Sequence, residues 1–263
     1  MPLLNHLRPS RAVPLVVALT AALLAGCSEP GATAAAPASS APVAAPSPTE
    51  LPPMDAVKAG LQRLAGSTYS YTVTGDYWRG QKYSASGSHD AKARKDSRSY
   101  KISGGPEATS RKVIVIGDDS YASADGASRW THADLTRLKP TSAVRFADPK
   151  DPGGLNRLLA ALHSARAGAP RSYEGSARLE VTRDALTYLP PGAPIFRFAQ
   201  GGQWASYTVT MDAKGDITSI KSGFETADGG VLSTTTTFSR IGQPVRIVKP
   251  TRVTELPSSQ YRK

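Results

Sequence analysis

The only cysteine of the chain, Cys27, closes the stretch Leu24-Ala25-Gly26-Cys27 at the end of an apolar run. A lone thiol in an exported protein invites oxidation or an intermolecular bridge. Leu, Ala and Gly in the three preceding positions give it another chemistry. They form a lipobox, in which the thiol takes a diacylglyceryl group and the chain is cut just before it. Two or more acyl chains anchor a protein stably where one is marginal. The expectation is lipidation at Cys27 and a protein held at the outer face of the cell membrane.

The remaining ionisable residues read as structural. After Cys27 the histidines are His89, His132 and His163, far apart and without metal-ligand spacing. They read as surface or strand-end residues. No nucleophile elbow, phosphate loop or dinucleotide fingerprint occurs. The acids Asp118-Asp119 and the pair Asp148 and Asp151 lie beside Gly or Pro, where turn chemistry accounts for them. Asp212 to Asp216 lacks the later Glu of a calcium loop and reads as a hairpin. The expectation is therefore a non-enzyme with no cofactor, no metal and no catalytic residue. The net charge of +11 suits anionic lipid headgroups or wall polymers. Nucleic acid is excluded by the scatter of the basic residues and by export.

The elements that would position any site follow from periodicity. Residues 1–26 read as a signal peptide, with Arg8 and Arg11 ahead of an apolar segment too short to span a bilayer. Residues 27–50 are rich in Ala, Pro and Ser and form a stalk with no core-forming capacity. The folded domain takes 51–263. Pro52-Pro53 opens a helix with its stripe at Met54, Val57, Leu61 and Leu64, and Gly66 ends it. Period two then begins, with Tyr69, Tyr71 and Val73 on one face. Gln81 to His89 and Arg94 to Ile102 alternate more weakly. Val113 to Ile116 is apolar on both faces, so it should be covered on both. Leu135, Leu138, Val144 and Phe146 lie in an irregular stretch as covers. A second helix, capped by Asp151, carries Leu155, Leu158, Leu159 and Leu162 and should end near Arg166 and Gly168. Strands return at Ser172 to Thr182, at the Pro-interrupted stretch Thr187 to Phe198, at Trp204 to Met211, at Asp216 to Phe224 and at Val231 to Phe238. Val245 to Val248 should be the last strand.

The order of lipobox, Ala/Pro stalk, amphipathic helix, antiparallel strands, helical interlude and further strands resembles the LppX/LprG group of actinobacterial lipoproteins, within the LolA/LolB-like fold. The stretches that carry the resemblance are the lipobox, the helix Met54 to Leu64, Lys112 to Tyr121 with Trp130, Asp212 to Ile217, and Thr237 to Ile247. The resemblance implies an α+β domain: a strongly curved antiparallel β-sheet, a half-barrel, with helices covering its concave face. It also implies a carrier of lipid or glycolipid, or a partner of an envelope signalling or assembly protein. Periodicity nominates the apolar positions that would line such an interior: Tyr69, Tyr71, Val73, Ile114, Ile116, Tyr121, Leu155, Leu158, Leu159, Leu162, Tyr207, Val209 and Met211. Whether they enclose a cavity or pack solid is a question of volume, which hydrophobicity does not set.

Overall fold

The computed structural model describes residues 51–106, 108–124, 127–139, 142, 151, 154–179, 203–225 and 229–262. Cys27, the signal segment and the stalk lie outside the described residues, as do Val144, Phe146 and the stretch 187–198.

The first helix, α1 (Pro53–Ala65), starts at the expected prolines and ends at Gly66. Its stripe of Val57, Leu61 and Leu64 is buried. Then follow β1 (Thr68–Asp76), β2 (Lys82–Asp90), β3 (Lys95–Ser103), β4 (Thr109–Ile116), β5 (Asp119–Ala124) and β6 (Trp130–Asp134). The short α2 (Leu155–Ala161) leads into β7 (Leu162–Ala167), β8 (Ser172–Leu179), β9 (Gln203–Met211), β10 (Ile217–Glu225), β11 (Val231–Ser239) and β12 (Val253–Glu255).

All the strands join one sheet in the order β12-β6-β5-β4-β3-β2-β1-β11-β10-β9-β8-β7. Every pairing is antiparallel except β12 on β6. The sheet is curved and unclosed, a half-barrel with helices on its inner face. Twist explains the curvature. Each strand is rotated against its neighbour in one sense, so an open sheet this wide curls. The main buried cluster runs from Ile102 on β3 to Ala177 on β8 and includes residues of both helices. Laid flat, those strands would stand roughly 29 Å apart, wider than one helix can cover. Curling brings them under a single helical layer.

α1 seats directly on β9 and β10. A Cβ added at Gly60 would come within 2.9 Å of Met211 Cε and 3.0 Å of Ile217 Cγ1. Glycine at this point lets the helix backbone meet those side chains. Arg63 pins the helix end to the β9–β10 hairpin, donating to the Gly215 carbonyl and pairing with Asp216 at 3.2 Å.

Two expectations are corrected. The second helix stops at Ala161, and Leu162 begins a strand instead of finishing the leucine stripe. The physical reason is pairing: Ser164 to Ala167 lie against Tyr173 to Ser176 of β8. The expected Asp151 does serve the helical N-terminus. Gly154 occupies the cap position, and Asp151 reaches in from further back to accept from the Arg157 N–H at 3.0 Å. The stretch Val245 to Val248 is not a strand. It lies between Pro244 and Pro250, with Ile247 buried, and the last strand is β12.

Candidate inner-face site

Register decides which nominated residues meet. Across β1 to β6, directly paired residues share a face, so the inner face carries four rows. They are Tyr69-His89-Asp96-Val115-Ser120-Ala133, Tyr71-Gly87-Arg98-Val113-Ala122-Thr131, Val73-Ala85-Tyr100-Arg111-Ala124, and Gly75-Tyr83-Ile102-Thr109. Tyr69, Tyr71, Val73, Tyr207, Val209, Met211, Leu155 and Leu158 fall in one buried cluster with α1, and Leu159 and Leu162 pack against its margin. Ile114, Ile116 and Tyr121 do not join them. They occupy the intervening register positions and face the other way. The correction follows from period two: Val113 and Val115 take the inner positions, so Ile114 and Ile116 must point outward.

Two of the nominated tyrosines have a structural task. Tyr71 lies across Gly87 on the neighbouring strand, and its hydroxyl donates to the Ser97 carbonyl at 3.3 Å. Tyr207 repeats the arrangement over Gly175, donating to Ser164 O at 2.6 Å. Each ring fills the space that the glycine leaves on the pleat. Burial pushes the Tyr207 phenol up to about 12, so it stays a donor at any ordinary pH.

Beside Tyr71 lies a polar cluster that periodicity did not nominate. Arg98 points its Nε to the Tyr71 hydroxyl at 3.4 Å, and its Nη2 is 4.0 Å from Asp96 Oδ1. Burial works against the charge of Arg98, but Tyr71, Asp96 and Tyr83 around it outweigh that and hold its proton more firmly than usual. Burial also raises the Tyr69, Tyr71 and Tyr83 phenols. His89, expected at a strand end or on the surface, is 5% exposed. Its ring stacks on Tyr69, with centroids 5.0 Å apart, and its Nδ1 is 3.4 Å from Asp96 Oδ2. That is an ion-pair distance without hydrogen-bond alignment. Among the described residues the Tyr69 hydroxyl, His89 Nδ1 and Asp96 Oδ2 have no hydrogen-bond partner.

The cluster opens towards solvent through Tyr100 and Arg111. Tyr83 is buried, Tyr100 half-buried and Arg111 exposed. The Tyr83 and Tyr100 rings stack at 6.0 Å and 21°. Arg111 stands directly opposite Tyr100 across the strands, and Arg98 is two residues before it on the same face. This arrangement offers flat apolar rings between two guanidiniums, next to the buried apolar cluster. It can take a polar or anionic headgroup at one end of an apolar molecule. A faint signal existed in the sequence. Tyr83-Ala85-Gly87-His89 and Asp96-Arg98-Tyr100-Ile102 each alternate with Ser or Lys, but the many polar residues on both faces hid which side was inner.

On the outer face a second group forms around Tyr121 and His132, whose rings stack at 5.0 Å. His132 Nε2 lies 2.8 Å from Asp119 Oδ1, and Nδ1 lies 2.7 Å from Glu255 Oε2. Lys249 sits 5.4 Å over the Tyr121 ring. Tyr121 is thus covered by the C-terminal segment, which answers the need of β4 and β5 for an outer cover. Both His–carboxylate pairs were invisible in sequence, because 7 residues part His89 from Asp96 and 123 part His132 from Glu255. Asp118 keeps its turn role, pairing with Arg94 at 2.8 Å, and Asp212 accepts from the Lys214 and Asp216 amides in its hairpin.

Among the described residues no group of three or more His, Cys, Asp or Glu gathers as a metal site, and no helix is long and apolar enough to cross a membrane.

No protein-family model and no characterised protein matches the sequence. Solved structures do align with the chain. An uncharacterized conserved protein from Thermus thermophilus is 11% identical, with a TM-score of 0.43, covering 77% of this chain and 98% of its own. The Mycobacterium tuberculosis lipoprotein LppX is 13% identical, with a TM-score of 0.43, covering 74% of this chain and 97% of its own. A LolA superfamily protein from Nitrosomonas europaea is 8% identical, with a TM-score of 0.27, covering 78% and 97%.

Proposed function

We propose that this half-barrel is a lipoprotein of the LppX/LprG type that binds a hydrophobic ligand, a lipid or glycolipid, in the trough of its sheet. The reading includes export, acylation at Cys27 and attachment to the outer face of the cell membrane. It also takes the protein to be a carrier or presenter with no catalytic role. The observation that carries it is the junction of two environments on one face. A buried apolar cluster that includes Val73, Ile102 and Leu155 meets an aromatic and cationic group at Tyr83, Tyr100, Arg98 and Arg111. Burying acyl chains there is worth about 0.8 kcal/mol per CH₂. The headgroup would sit at the aromatic and cationic group, where Arg111 is exposed.

A second reading makes the protein a solid interaction module for an envelope signalling or assembly protein. The direct seat of α1 through Gly60 on Met211 and Ile217 favours it, because no ligand chain fits between those groups. Native mass spectrometry of the Cys27→Ser protein separates the two. A co-purifying amphiphile, displaced or weakened at least about tenfold by Arg111→Met, supports the carrier. A protein free of lipid that gives no shift with a panel of phospholipids and glycolipids sinks it and leaves the module.

A further inference from the structure

The outer face of the sheet carries a second candidate site, independent of the trough. A groove of about 470 Å³ lies on β7, β8 and β9, with Ser164, Arg166, Glu174, Ser206 and Thr208 among its walls. Register sets the outward positions in cross-strand rows. Ser164-Ser176-Ser206 and Arg166-Glu174-Thr208 run through the groove, and a third row, Arg178 beside Trp204, adjoins it on the same face, beyond its walls. The strip is about 14 Å long along the strands and about 10 Å across three of them.

One end of this strip is aromatic. Trp204 is 49% exposed, although its strand neighbours Ala205 and Tyr207 are buried on the inner face. An irregularity in the β7–β8 register falls between Leu162 and Ser164, at His163. Such bulges re-aim a side chain. Here the His163 ring stands 4.5 Å from that of Trp204, tilted by 57°. The middle of the strip is hydroxylic, with Ser164 and Ser176 hydrogen-bonded at 2.8 Å. The other end is a charged pair, Arg166 to Glu174 at 3.0 Å.

We propose that this strip is a glycan-binding groove for an extended, β-linked oligosaccharide. A sugar ring offers an apolar C–H face and a belt of hydroxyls that both donate and accept. An exposed indole suits the first. A row of serine hydroxyls ending in a guanidinium and a carboxylate suits the second, with donors and acceptors side by side. A membrane surface would call for a broad apolar patch or a cluster of cations, whereas this lining alternates hydroxyls and an internally paired charge. A docking protein strand would use the backbone of the edge strand β7, not the side-chain face. The straight rows of a sheet favour a flat glycan chain over a coiled one.

The test uses the full chain in detergent, titrated calorimetrically with cellohexaose, chitohexaose and β-1,4-mannohexaose. At least one should bind. Trp204→Ala should weaken it by about tenfold or more, the loss typical of an aromatic anchor. Ser206→Leu, an exposed position that fills the groove, should do the same. Trp130→Phe, on the distant β6, should leave the affinity unchanged, and thermal melts of all variants confirm folding. Binding of none of the three glycans overturns the proposal. So does affinity unchanged in either groove variant.

Discussion

His132 clamps the C-terminal segment to the sheet edge, and the clamp should weaken as pH rises. The groups facing His132 are Asp119 and Tyr121 on β5, Glu255 on β12, and Lys249, which reaches the same tyrosine. Burial works against the imidazolium, but the hydrogen bonds to Asp119 and Glu255 outweigh it, and the pKa is raised. A raised folded value means that the stabilisation is complete below the unfolded value of about 6.5 and is lost as pH climbs through the folded one. The carboxylate side chains are 48% and 72% exposed, so solvent screens both bonds. A discounted contribution of about 1 kcal/mol follows. In a domain of this size that is about 2–4 °C in melting temperature. His132→Ala should therefore lower the melting temperature by that amount at about pH 5.5, and by less at about pH 8.5. Hydrogen exchange at the Leu256 amide, which donates to the His132 carbonyl at 2.9 Å, should quicken in the variant at low pH. A loss that is equal or larger at the higher pH would refute the clamp.

Other outcomes follow from the inner face. Arg98→Met leaves Asp96, 3% exposed, without its cation and should cost about 3 kcal/mol in urea unfolding. Gly60→Val should cost about 1–3 kcal/mol, since Met211 and Ile217 must move to admit the new side chain; a neutral effect would mean that α1 is loosely seated. Tyr207→Phe removes the bond to Ser164 O and should cost about 1 kcal/mol, measured against wild type by chemical denaturation. Cys27→Ser should move the protein from the membrane fraction to the soluble fraction, as followed by fractionation and immunoblot, while the purified protein keeps its ligand binding.

Local signals were the most legible. Pro52-Pro53 and Gly66 placed α1, and the alternation from Trp204 to Met211 placed β9 with the correct inner face. Leu162 was misread because its spacing fits the leucine stripe of α2. Only pairing with Ala177 assigns it to a strand. Val245 to Val248 has strand propensity, but the segment lies outside the ladder. The polar cluster was hidden for another reason. His89, Asp96 and Arg98 lie on strands whose two faces are both polar, so period two marks no inner side.

By itself the sequence determined where the chain turns, which short segments alternate and that Cys27 ends an apolar run, because these depend on residues within a few positions of one another. The tertiary structure alone decided which faces meet. It turned Ile114, Ile116 and Tyr121 outward, gathered Arg98 with Tyr71, Tyr83 and Asp96, and joined His132 to a glutamate at the far end of the chain. The reason is that strand register fixes a face for every residue at once. Register is set by pairings between strands remote in sequence, which no local pattern encodes.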